Sequence, residues 1–285
     1  MTEESKIEQT EQVEPKQPGI WKASFQLLWQ CRTSFLIAIV LMLGLVFWQL
    51  TGSFAGQVYV VYLLGFAIWG FLALSLFNAT MKGRGDVAAL KVIDKPHLKL
   101  FAGRYLLVQV LVTLPSSLIL FVMTGSFMLS VEDTVKVENL VALGITAPVT
   151  FVALWIAIVF FATLLPAALA GDGSGIGRSF ARGKKTVWYV TGRVLIGPVV
   201  WLFLTSIIVN IVQTAGGEPL ISSDGVFLTN TTTVMTLAIS SLQYGFIGGM
   251  LAVIVTRAYH LGEKRLAASD MPSREEPAEA QARTI

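Results

Sequence analysis

The chain has 285 residues, 54% of them hydrophobic and only 14% charged, against about 25% charged in ordinary soluble domains. Its formal net charge of +3 is too small a bias to imply nucleic acid as a partner. A mean hydropathy of +0.68 excludes a pair of soluble domains and points to an all-α polytopic helical membrane bundle.

In chain order, residues 1–32 begin with Glu3, Glu4, Glu8, Glu11 and Glu14 among Gln and Lys. With no early apolar core they give no cleavable signal peptide and read as a disordered cytoplasmic tail. Cys31 is the one cysteine, so no intramolecular disulfide is available. It reads as a small apolar filler, with juxtamembrane palmitoylation as the alternative. Uncharged apolar runs long enough to cross a hydrocarbon core of about 30 Å then follow at 33–50, 56–78, 105–129, 142–169, 194–213 and 233–256. Residues 33–257 are therefore expected to form one domain of six transmembrane helices. Pro148 and Pro166 lie near the ends of the fourth run, and Pro115 and Pro198 inside the third and fifth predict kinks. Residues 258–285, with Glu, Ala, Arg, Ser and prolines, read as a second cytoplasmic disordered tail.

Charge fixes an expected orientation. All but one of the 21 Lys and Arg residues fall on the tails and on the 79–104 and 170–193 loops, whereas the alternate loops carry Lys136 against Glu132, Asp133, Glu138, Glu218 and Asp224. The positive-inside rule then puts both termini in the cytoplasm, N-in/C-in, and an odd number of spans would break the pattern. The external loops are too short to fold alone. Asn230-Thr231-Thr232 matches a glycosylation sequon but reads as a polar loop end.

Each inner loop is expected to hold a short amphipathic interfacial helix. In the second, Ile176, Phe180, Gly183, Val187 and Val190 gather on one side, with Arg178, Arg182 and Lys185 opposite. Arg178, Arg182, Lys184 and Lys185 thus form a candidate lipid- or anion-binding face, each basic residue near anionic headgroups contributing on the order of 1 kcal/mol. In the first, Ala89, Leu90, Val92 and Ile93 oppose Lys91, Asp94 and Lys95, and Pro96 is expected to end the helix. Ordinary positive-inside charge that holds topology is the competing account of both loops. Gly103-Arg104-Tyr105-Leu106-Leu107 and Gly192-Arg193-Val194-Leu195-Ile196 open the third and fifth spans alike, a hint of a parallel repeat of two helices.

Catalytic constellations are not expected. Gly171-Asp172-Gly173-Ser174-Gly175-Ile176-Gly177-Arg178 is glycine-rich, but it follows a membrane helix rather than a strand and lacks the Gly-Lys-Ser/Thr of a Walker loop. It reads as a helix end and turn, with a phosphate or headgroup site near Arg178 and Arg182 as the alternative. His97 and His260 lie far apart outside the spans and Asp172 has no intramembrane acidic partner, so neither a metal site nor an aspartyl mechanism is expected, and no cofactor is implied. The spans hold only neutral polar residues, among them Gln109, Ser116, Ser117, Asn210, Gln213, Ser240 and Gln243, which weakens an ion-coupled transporter. They suit interhelical hydrogen bonds or the lining for a neutral solute. In span six, Ser241, Gly245 and Gly249 form a helix-packing stripe, with Gly248 and Ala252 beside it, for a helix of this chain or of another subunit.

The segment Pro166-Ala167-Ala168-Leu169-Ala170-Gly171-Asp172-Gly173, followed by Ser179-Phe180 and Lys184-Lys185, resembles the loop between spans four and five in a broad group of bacterial six-span inner-membrane proteins. These are the YciC-like proteins and the membrane domains attached to glycerophosphodiester phosphodiesterases. The resemblance covers about 40 residues around this loop and the span count; it implies a membrane fold in a bacterial cytoplasmic (inner) membrane, brings no activity and carries over no catalytic residue. The expectation is a non-catalytic multi-pass protein that organises lipids or assists assembly of a membrane complex. Anionic headgroups are its expected partners, as a homo-oligomer or a complex subunit. The alternatives are a permease for a neutral or amphipathic solute and a cytoplasmic-face enzyme using Asp172.

Overall fold

The computed structural model describes residues 18–51, 57–85, 87–124, 137–216 and 231–270. Among them the fold is all helical. In chain order the elements are α1 (Ile20–Gln30), α2 (Arg32–Thr51), α3 (Gln57–Lys82), α4 (Val87–Leu90), α5 (Lys95–Thr124) and α6 (Val137–Ile156). A π-helical turn (Ala157–Phe161) leads to α7 (Leu164–Leu169), and α8 (Ile176–Val194) continues through a second π-helical turn (Leu195–Val199) into α9 (Val200–Gly216). The chain closes with α10 (Thr231–Asp270). Five helical stretches are long and apolar enough to cross a membrane, or six when α1 and α2 are counted as one broken span. Asn230 of the sequon lies outside the described residues.

Several elements depart from the sequence expectation. Residues 20–30, expected within a disordered tail, form α1, which meets α2 at an angle of 82°. The reason is an amphipathic period: Ile20, Ser24 and Leu27 recur along one face and are buried. Trp21 meets Trp201 with ring centres 5.8 Å apart, and Phe246 lies 4.6 Å from both Phe25 and Trp201, so α1 is pinned by aromatic contacts to α9 and α10. Cys31 sits at the elbow, fully buried. Pro96, expected to end a helix, lies in the first turn of α5, where a missing N–H leaves no hydrogen bond unmade. Between α3 and α5, the helical segment among the described residues is the single turn Val87–Leu90.

At the C-terminal end, residues 258–270 continue α10 instead of forming a tail. The helix extends about three turns past the expected membrane boundary at residue 257, and Ala258 and Tyr259 are buried. α10 is the axis of the fold, packed against α8, α9, α1, α3 and α2. Its small-residue stripe faces helices of the same chain: a Cβ at Gly245 would overlap the ring of Phe35, one at Gly249 would come within 3.3 Å of Leu28, and one at Gly248 would touch Leu76. The stripe thus seats α1, α2 and α3 closely.

Candidate functional site

Pro166 and Gly171 create the geometry at the basic end of the bundle. Pro166 has no N–H to give Ala162, whose carbonyl accepts Leu165 N–H instead at 3.0 Å. α7 then stops in a Schellman motif: Gly171, at φ +73, donates to Ala168 O and Asp172 donates to Ala167 O. His97 packs over the turn, 3.1 Å from where a Cβ at Gly171 would stand. This glycine turn points Asp172 back at the bundle, toward Arg182.

The Asp172 carboxylate accepts the Ser174 N–H at 2.8 Å and the Ser174 hydroxyl at 2.7 Å, fixing the loop into α8. It also accepts Arg182 Nη2 at 2.5 Å. Arg182 is fully buried; its Nε donates to Glu263 of α10, its guanidinium stands 4.8 Å from the Tyr259 ring centre, and its Nη1 has no hydrogen-bond partner among the described residues. Arg178 closes the fork on Glu263 from outside, at 3.1 and 2.6 Å. Arg104 of α5 donates to Leu164 O at 2.9 Å, Asp172 O at 3.1 Å and Ser174 O at 2.7 Å, tying α5 to the start of α7 and to the loop that follows it. Four parts of the fold, α5, the α7–α8 loop, α8 and α10, are therefore braced by three arginines and two carboxylates.

Close backbone approach makes this geometry accessible. A Cβ at Gly183 would lie 2.7 Å from Val159 O and 2.8 Å from Phe160 Cα, and one at Gly262 would lie 2.9 Å from Arg182 Cβ. Ser179 Oγ donates to Phe160 O at 2.9 Å and lies 2.7 Å from Thr163 Oγ1, so α8 supplies a donor to a carbonyl in the π-helical turn.

Electrostatics follow from these bonds. The Glu263 carboxyl is held below its usual range by the hydrogen bond from Arg178, against some desolvation, with further help from Arg182. Burial pushes Asp172 upward, but its two bonds from Ser174 and the nearby Arg182 outweigh that, and its net shift is downward. Both carboxylates are charged at neutral pH.

The four basic residues expected on one lipid-facing side of α8 do not share a side. Ser179, Arg182, Gly183, Thr186 and Val190 form the buried stripe, while Ile176 and Phe180 are 52% and 40% exposed. Arg182 and Arg178 are engaged by carboxylates. Lys184 and Lys185 stay exposed, Lys184 with its Nζ 4.9 Å from the Phe180 ring centre. Arg104 and Arg193, alike in the two Gly-Arg segments, also part company: Arg104 is buried, whereas Arg193 is exposed beside Tyr189. The sequence reading missed Arg104, Tyr259 and Glu263 as partners. One signal was present: Gly245, Gly249, Ala252, Thr256, Tyr259 and Glu263 keep a spacing of three or four, so the packing stripe continues past the membrane.

Among the described residues no group of three or more His, Cys, Asp or Glu could hold a metal ion. Neither a family model, a curated protein nor a solved structure matches the chain.

Proposed function

We propose that the chain is a non-catalytic six-span protein of a bacterial cytoplasmic membrane, akin to the YciC-like proteins, with both termini and the ion cluster in the cytoplasm. There it organises anionic lipid or assists assembly of a membrane complex. One observation carries this reading: Arg104, Arg178 and Arg182 on one side and Asp172 and Glu263 on the other are engaged in mutual and backbone bonds. The cluster braces helices, so a surface for anionic headgroups falls to exposed basic residues outside it. The permease reading has less support. Thr113, Ser206, Asn210 and Thr214 each donate to a carbonyl one turn back in their own helix, and Ser116 pairs with Thr150 at 2.6 Å.

The test is native mass spectrometry of the protein extracted gently from its own membrane. Co-purified anionic phospholipid or a partner subunit is the expected result. A bare monomer, together with solute flux in reconstituted vesicles, would replace this reading with the permease.

A further inference from the structure

A second feature of the basic end lies away from the ion cluster. A cavity of about 590 Å³ opens between the α1–α2 elbow and the α3–α4 turn, with Trp29, Gln30, Arg32, Gly83, Arg84 and Gly85 among its walls. That is within the usual range for small-molecule sites. Its floor is held from inside the bundle. Ser75 Oγ lies 2.6 Å from Gly85 O and 2.9 Å from Ser34 Oγ, and Asn78 Nδ2 donates to Arg84 O at 2.8 Å. Ser34 and Ser75 are fully buried and Asn78 nearly so. Gly83 has φ +69, and a Cβ at Gly85 would overlap Cys31 Sγ. Polar side chains in apolar helices are unfavourable unless bonded; here three of them converge on one short turn, and that turn presents Arg84.

Arg32 also lines the cavity, its guanidinium 5.2 Å from the Trp29 ring centre. Arg32 and Arg84 are both exposed, and neither pairs with a carboxylate among the described residues, unlike Arg178 and Arg182. Trp29 is 71% exposed at the elbow, the placement of an indole at a membrane surface. Two guanidinium groups that line one groove, with no carboxylate partner among the described residues, suit the oxygens of a phosphate, and the indole beside them suits the glycerol and upper acyl region of a lipid.

We propose that this groove binds the phosphate group of an anionic phospholipid. The inference rests on the basic end facing an anionic leaflet, as the proposed function has it. It deepens that reading by moving the specific site from α8 to the elbow.

The full chain in phosphatidylcholine nanodiscs is titrated with dioctanoyl phosphatidylglycerol, dioctanoyl phosphatidylcholine and inorganic phosphate, and bound species are counted by native mass spectrometry. Three proteins are compared: wild type, Arg32→Gln with Arg84→Gln, and Lys184→Gln with Lys185→Gln. Thermal unfolding checks that each is folded. Wild type should prefer phosphatidylglycerol over phosphatidylcholine. The arginine pair should weaken phosphatidylglycerol binding roughly 30-fold, about fivefold per basic residue, and the lysine pair should leave the tightest site unchanged. Displacement of the lipid by millimolar phosphate, equally in wild type and the lysine pair, would assign the groove to a free anion and overturn the lipid source. Loss in the lysine pair alone would overturn the groove but leave lipid organisation standing. No preference for the anionic lipid in any protein would overturn both.

Discussion

Arg182 shows how a charged residue becomes structural. Its side chain is inaccessible to solvent, and its bonds reach two other parts of the chain: Glu263 on α10, and Asp172 and Ser174 in the α7–α8 loop. Removing one partner of a buried pair leaves the other uncompensated, so Arg182→Gln should destabilise the protein by about 3 kcal/mol, read as a large fall in thermal midpoint in detergent. Arg178→Gln removes an exposed arm of the same fork and should lower the midpoint far less. The carboxylates set the pH response. Glu263 and Asp172 have depressed values in the folded protein, so their stabilisation is complete above the ordinary carboxylate range of about 4 and is lost as pH falls through the depressed values. The thermal midpoint should therefore stay level from neutrality to about pH 5 and drop below about pH 4. Asp172→Asn with Glu263→Gln should start lower and show a shallower acid drop. A midpoint that rose on acidification would contradict the assignment.

Among the elements, α8 depends on glycine. Gly183 lets its backbone touch the π-helical turn of residues 157–161, where the nearest neighbours of an added methyl would be the Val159 carbonyl and the Phe160 Cα. Gly183→Ala should cost about 1–3 kcal/mol by overpacking, whereas Gly177→Ala, with open space around it, should be neutral or slightly stabilising by thermal unfolding. This also explains why the inward face of α8 was misread from the sequence. Bulky apolar residues at 176 and 180 imply a face toward apolar surroundings, which is consistent with their exposure on a membrane protein. The face that packs on protein is instead built of Ser179, Arg182, Gly183 and Thr186, small or polar side chains that a hydrophobic period does not register. Gly183 and Val190 belong to both descriptions, which is why the helix itself was legible while Arg182 was placed on the wrong side. α1 is hidden for a related reason: its period of Ile20, Ser24 and Leu27 is interrupted by a serine and follows an acidic stretch, and it is held by long-range packing, including the contacts of Trp21 and Phe25 with residues beyond 200.

Across the whole molecule, hydropathy alone located the helices long and apolar enough to cross a membrane, because long uncharged apolar runs have few other structural solutions. What it could not supply was the bracing of one end, since Arg104, Asp172, Arg182 and Glu263 are separated in sequence by up to 159 positions and meet only through helix packing. The C-terminal extension of α10 is part of that bracing, so a chain ending at residue 258 should insert but unfold at markedly lower temperature than one ending at 270. Buried Arg104 and Arg182 hold helices together, and the proposed function assigns the membrane surface to exposed basic residues outside the cluster. The most direct test measures thermal midpoint and anionic-lipid retention, by native mass spectrometry, for Arg182→Gln beside a protein with Arg32, Arg84, Lys184 and Lys185 all changed to Gln. The predicted result is a separation, with Arg182→Gln losing stability while its folded fraction keeps the lipid, and the fourfold variant keeping stability while losing the lipid. The reverse pattern, a stable Arg182→Gln protein stripped of lipid beside a fourfold variant that retains it, would contradict the account.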